Sequence, residues 1–231
     1  TIESQNTTIV LDSGEIEELS TKFSKGAAIR ALAKGSWGFT TTDDLNKIGE
    51  ALEAAKRIAT HIDKQKPRPK VSLPLVQGKT SISTRMKMRK DPASIPVEEK
   101  LSLLRDIEKA ATVEQIVSTV VAYSEAYSRV KYESSEGIEG EYELLRTGFS
   151  VAAVAKEDGV MQIARRRNFG VCGYEIMDAD PLALAIDAAN CAKQLLKAKK
   201  AKGGRFPVLL DQELAGVFIH EALGHAAEAD A

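Results

Sequence analysis

Apolar and polar positions change period several times along the chain. From Thr7 to Thr42 they alternate in short bursts broken at Ser13-Gly14, Gly26, Lys34-Gly35 and Gly38, the pattern of an antiparallel meander. Strands are predicted at Thr8–Leu11, Ile16–Lys22, Ala27–Ala33 and Trp37–Thr41. The period then lengthens. Leu45, Ile48, Leu52, Ala55, Ala59 and Ile62 recur at three and four, which predicts an amphipathic helix of about five turns capped by Thr42. His61 near its end reads as a surface residue facing the helix dipole. Pro67, Pro69 and Pro74 break both periods, and the polar, basic stretch from Gln65 to Asp91 reads as a long connection. Pro96 suits a first helical turn and Glu98 and Glu99 complement its positive end, so a helix is predicted over Val97–Ala111, its stripe running through Leu101, Leu104, Glu108 and Ala111.

Strand patterning returns from Ile116 to Arg167, with Gly137, Gly140, Gly148 and Asp158-Gly159 as turn signals. A helix over Pro181–Lys197 follows, capped by Asp180 and ended by Gly203-Gly204, with Cys191 as a small core residue. An offset of 122 residues superposes Ser13 on Ser135, Ile16 on Ile138, Gly26 on Gly148 and Lys34 on Lys156, as an internal duplication of 7–62 and 116–200 would. The predicted class is α+β: an antiparallel sheet with helices on one face, ending in the helix that carries the chemistry. Residues 1–203 form this layer, and 204–231 form a strand plus a motif helix.

At 231 residues the chain has ample length for a core. Its 32 Lys plus Arg against 33 Asp plus Glu argue against a dedicated nucleic-acid or membrane-surface protein. Two cysteines make no disulfide framework, and no apolar run is long enough to span a bilayer. A reducing, cytoplasmic compartment is the expectation. The start on Thr1 and the stop at Ala231 inside a helical pattern lead us to expect a piece of a longer protein.

Of the three histidines, His61, His220 and His225, two fall in one short segment. Phe206-Pro-Val-Leu-Leu210 reads as a buried strand, Asp211 as a cap, and Leu214, Val217, Phe218 and Leu223 as a helical face carrying His220-Glu-Ala-Leu-Gly-His225. Zinc peptidases commonly set two histidines at i and i+4, about 40° apart on the helix; here the spacing is i and i+5, about 140° apart. One i to i+5 turn brings His225 back over His220, and Gly224 has the backbone freedom to allow it. Glu221 then stands as general base for a metal-bound water, and Glu228 and Asp230 could orient an imidazole. Histidine pairs on helices are usually surface pairs. The concentration of histidines, the glutamate between them and the surrounding alanines bring the metal reading level with that of a surface pair.

This segment, Gly216-Val-Phe-Ile-His220-Glu-Ala-Leu-Gly-His225-Ala-Ala-Glu-Ala-Asp230, resembles the signature of the TldD/PmbA zinc metalloproteases, in the TldD branch that keeps the motif. Gly35-Ser-Trp-Gly-Phe-Thr-Thr-Thr-Asp-Asp-Leu45, Asp91-Pro-Ala-Ser-Ile-Pro-Val-Glu-Glu-Lys-Leu101 and Ser134-Ser-Glu-Gly137 resemble further family landmarks. The resemblance implies His220 and His225 as Zn2+ ligands, Glu221 as the catalytic base, and hydrolysis of unstructured peptides. It also implies a homodimer or a heterodimer with a PmbA/TldE-like paralogue, and a third ligand, a Cys, from a C-terminal domain outside this chain. Neither Cys172 nor Cys191 matches that position, so the 231 residues alone are expected to be inactive. Arg165-Arg-Arg167 and Lys197–Lys202 read as exposed charge rather than a nucleic-acid site, and Cys172 as structural. The competing function is a non-catalytic assembly or regulatory subunit that binds a paralogue and peptide.

Overall fold

The computed structural model describes residues 1–62 and 80–228. It divides into two compact units, Thr1–Lys197 and Ala198–Ala231, each described by itself. The connection expected around Pro67, Pro69 and Pro74 lies largely outside the described residues, as does Asp230.

The first unit is built on one seven-stranded sheet. Strands β1 (Ile2–Asp12), β2 (Glu15–Ala33) and β3 (Ser36–Thr42) form one antiparallel meander. Strands β5 (Ile116–Glu133), β6 (Ile138–Glu157) and β7 (Val160–Gly170) form another. The two meet where β1 pairs antiparallel with β5. Strand β4 (Thr80–Thr84) adds in parallel to the start of β6, where the sequence pattern predicts only connection.

The strands are longer than their apolar bursts. Gly26, Gly140 and Gly148 lie inside strands rather than at turns: the ladder carries Gly140 and Gly148 by pairing on both sides and Gly26 by pairing with Ile2 of β1. At Gly148 the reason for glycine is close approach: a Cβ would lie 2.4 Å from both the Asn168 carbonyl oxygen and the Phe169 ring. Three of the hairpin turns are two-residue loops with both residues at positive φ, at Ser13-Gly14, Lys34-Gly35 and Asp158-Gly159, while β5 and β6 are joined by the four-residue turn 134–137, with Gly137 at positive φ as its sequence signals. That conformation matches the twist of the flanking strands.

Helix α1 (Ile48–Ile62) begins after a short 3-10 turn whose cap is Asp44, accepting from the Asn46 amide at 3.0 Å. Thr42, expected at that position, instead accepts from the Asp44 amide at 3.2 Å. Helix α2 (Val97–Ala111) runs over the expected residues, and α3 (Pro181–Leu196) is capped by Asp180, which accepts from the Ala183 amide at 3.1 Å.

All three helices lie on one face of the sheet, the face of Thr7, Ile9 and Leu11. Leu104, Ile107 and Ala111 of α2 pack over Ile9, Leu11, Val121 and Phe149. Helix α3 presents Ala185, Ala188, Ala189 and Ala192, all buried, to Val151, Ala153 and Ala164. Small side chains let this helix approach the strands closely. Cys172 and Cys191 sit half-buried against the same core as free thiols, and burial pushes the Cys172 thiol up from its ordinary pKa. Two buried carboxylates are matched. Glu108 accepts from the Gly14 amide at 2.8 Å and the Thr119 hydroxyl at 3.0 Å, and Glu125 accepts from Lys100 at 2.8 Å. No helix among the described residues is long and apolar enough to cross a membrane.

Candidate metal centre

The second unit carries the histidines. Phe206–Leu210 does not form the predicted strand: the segment pairs with no strand among the described residues, and Leu209 is 99% exposed. An apolar run alone does not make a strand without a partner edge. Helix α4 (Gln212–Ile219) follows, started by Asp211, which accepts from the Leu214 amide at 2.9 Å.

At His220 the helix widens. Residues His220–Gly224 form a π turn in which the His225 amide donates to the His220 carbonyl, the i to i+5 bond that the histidine spacing requires. A single 3-10 turn, His225–Ala227, ends the element. The widened turn returns His225 over His220, with ring centroids 4.7 Å apart and planes inclined at 67°. Glu221 reaches the same spot. One ligand atom from each of His220, Glu221 and His225 lies within 4.8 Å of the others. All three side chains are exposed, so the face they share is open on one side.

Gly224 differs from the expectation. Its φ of −58° and ψ of −52° are ordinary helical values, so the backbone freedom of glycine is not used. A Cβ there would stand 3.4 Å from Nδ1 of His220, an ordinary van der Waals contact, so nothing in the described geometry requires glycine. Glu228 lies 3.5 Å from Nδ1 of His225 through Oε2, and Glu221 lies 3.7 Å from the Nε2 of the same ring. A carboxylate on Nδ1 fixes the tautomer that leaves Nε2 free for a ligand role.

The donor set fits a zinc ion. Two imidazoles around tetrahedral zinc each bond at about 2.0–2.1 Å, and nitrogens already within 4.8 Å of one another need only side-chain rotation to close on that geometry. Imidazole and carboxylate donors also belong to the borderline class that zinc accepts. No fourth His, Cys, Asp or Glu joins this group among the described residues.

Comparison with known proteins places the chain. Residues 2–59 match the family model described as PmbA/TldA metallopeptidase domain 1, and residues 90–197 match the central domain of the same family. The chain belongs to the PmbA/TldD metallopeptidase family. A protein of Methanocaldococcus jannaschii named a metalloprotease is 38% identical over 233 residues, which cover 98% of this chain and 50% of the relative. A zinc metalloprotease TldD homolog of Saccharolobus solfataricus is 29% identical over 215 residues, covering 89% of this chain and 44% of the relative. The chain thus spans about half the length of the relatives it matches. Among solved structures, one described as a putative modulator of a DNA gyrase from Thermotoga maritima shares the fold with a TM-score of 0.68 at 16% identity, over 88% of this chain and 45% of that one.

Proposed function

We propose that the full-length protein is a zinc-dependent peptidase subunit in which His220 and His225 hold the metal and Glu221 is the general base. The observation that carries this is the π turn, which puts an i, i+5 pair of imidazoles and the adjacent carboxylate around one point. A bound zinc ion would lower the pKa of a water and polarise the scissile carbonyl. Glu221, next to the first ligand, takes a proton from the attacking water and hands it to the leaving amine. Glu228, on Nδ1 of His225, keeps that ring in the tautomer and orientation that ligation needs. Asp230 is proposed for the same supporting role.

The exposure of the three side chains leaves room for a further ligand from elsewhere in the protein and for an extended peptide. The relatives' names support peptide hydrolysis as the reaction class and zinc as the metal. Dimerisation with a second copy or with a TldE-like paralogue, and a cytoplasmic location, belong to the same proposal. Metal analysis and peptide cleavage of the full-length protein test it. Glu221→Gln is expected to keep stoichiometric zinc and lose about 10²–10⁴-fold in turnover, while His225→Ala loses the zinc. Full turnover in Glu221→Gln refutes the role of the glutamate. A full-length protein with no stoichiometric zinc would leave the non-catalytic subunit as the better reading.

A further inference from the structure

The face of the sheet opposite the helices carries a charge pattern that neither the core nor the metal centre uses. Cross-strand pairing fixes which residues share it: Thr8 pairs with Ser124, Ser124 with Gly148 and Gly148 with Phe169, while Val10 leads through Ala122 and Ser150 to Arg167. Arg165 stands beside Ala152, Arg146 beside Ala126 and Lys156 beside Met161. On β5, β6 and β7 the positions of this face hold four cations, Arg146, Lys156, Arg165 and Arg167, and no carboxylate, in a chain whose net charge is −1.

On the helix face Lys131 meets no acid among the described residues, but three other cations are matched. Lys100 meets Glu125, Arg129 meets Glu141 and Arg166 meets Asp187. Among the described residues the four on the open face meet no acid, and all four are exposed. Strand β7 is also terminal: among the described residues no strand pairs with its other edge, although it runs for 11 residues. Met161, Ile163 and Phe169, from 47 to 63% exposed, alternate with nothing but Arg165 and Arg167 along that side of it. A long edge of this kind offers unpaired backbone groups to another extended chain.

We propose that the free edge of β7 captures an extended acidic peptide as an added strand, with alternate Asp or Glu side chains of the peptide paired across to Arg165 and Arg167. Main-chain bonds supply affinity and the arginine pairs supply choice of sequence, since opposite charges directly across a ladder stabilise it. A single-stranded nucleic acid suits the surface less. Phe169 is the one aromatic on this face of β7; Tyr132 and Tyr142, exposed on the same face of β5 and β6, stand about 20 Å or more along the strands from it, and Trp37 and Phe39 lie on β3, five strand spacings or about 24 Å away, with the face of Trp37 taken by Arg30 at 4.3 Å. Bases need adjacent aromatic faces to stack on. This proposal does not depend on the metal centre.

The test is fluorescence anisotropy with labelled peptides of about ten residues, the length of β7, and the whole protein. A peptide alternating Glu and Thr is expected to bind, one alternating Lys and Thr is not, and binding should weaken as salt rises. Arg165→Glu with Arg167→Glu should lose at least about tenfold, whereas Arg165→Lys with Arg167→Lys should stay within about threefold, with both variants unfolding at the parent temperature. Methylating alternate peptide amides should abolish binding. Binding that survives the charge reversal or the methylation overturns the proposal, as does failure of the acidic peptide to bind. Tighter binding of an oligothymidylate of equal charge overturns it in favour of a nucleic-acid surface.

Discussion

Lys100 gives the sharpest test of how the first unit is held together. Its Nζ lies 2.8 Å from Oε2 of Glu125, with the two side chains 6% and 9% exposed. The Tyr123 hydroxyl donates to the same oxygen at 2.5 Å, and the ammonium stands 5.4 Å and 6.0 Å from the ring centroids of Tyr123 and Tyr174. Burial first, and then the hydrogen bond and charge of Glu125, push the Tyr123 phenol far above its ordinary pKa. It therefore remains a donor at any working pH. Lys100→Met keeps most of the volume and removes the charge, leaving a buried carboxylate with one neutral donor. Breaking a buried pair this way costs about 3–5 kcal/mol. For a unit of this size that is a fall in Tm of about 6–20 °C. Replacing the whole network, Lys100→Met with Glu125→Met and Tyr123→Phe, removes the stranded charge and should recover most of the loss. Urea denaturation measures both, read as a change of midpoint at constant slope. A single variant that loses less than about 1 kcal/mol, or a triple variant less stable than the single, would show that the network does not stabilise the unit in this way.

Further perturbations probe the helix and loop attachments. At Gly38 a Cβ would lie 1.8 Å from the Ala55 carbonyl oxygen and 2.8 Å from the Ala59 nitrogen, so Gly38→Ala must lift α1 off β3, at a cost of about 1–3 kcal/mol or more. Gly49→Ala, in α1 with nothing within 4 Å, should instead stabilise by up to about 1 kcal/mol; equal melting temperatures for the two would contradict the packing. Burial would raise the Glu175 carboxyl, but bonds from its own amide and those of Lys90, Arg89 and Gly173 outweigh it and bring its pKa down to about 2. A carboxyl depressed in the folded state stabilises fully above its unfolded pKa and loses that contribution as pH falls towards 2. The attachment of residues 89–90 to the 3-10 turn Tyr174–Asp178 should therefore open to proteases as pH falls from about 4.5 through that range, and Glu175→Gln should open it at neutral pH. Digestion that is the same at all these pH values, or unchanged in the variant, would refute this.

Much of this was legible from local chemistry. Asp158-Gly159 between alternating runs specifies its hairpin turn, because few residues tolerate positive φ at both positions. Residues Val97–Ala111 read correctly as α2 because one stripe at helical spacing decides a face. The π turn was legible for a chemical reason: only a widened turn lets imidazoles at i and i+5 face one point. What failed depended on partners distant in sequence. Strand β4 has little apolar signal and exists through pairing with Ile138–Tyr142, and Phe206–Leu210 has the signal without a partner. Nothing in the sequence at Lys100 or Glu125 shows that β5 runs beneath α2 or that the two side chains meet.

The strand registers show where the two meanders agree and where they part. Ile2 pairs with Gly26 and Ser124 with Gly148, the same pair displaced by 122 residues. The next turns, Lys34-Gly35 and Asp158-Gly159, are displaced by 124, so the correspondence is lost at the outer hairpins. There β3 runs 7 residues against 11 in β7, and α1 lies close enough over β3 that Gly38 has no room for a Cβ. On β7 the alternation separates Arg166, tied to Asp187 of α3, from Arg165 and Arg167 on the opposite face. Three consecutive arginines that look like one basic run are thus one structural contact and two charges that meet no acid among the described residues. That separation, which the strand alternation implies and the register makes definite, makes the outer edge of β7 the place to test for a bound acidic strand.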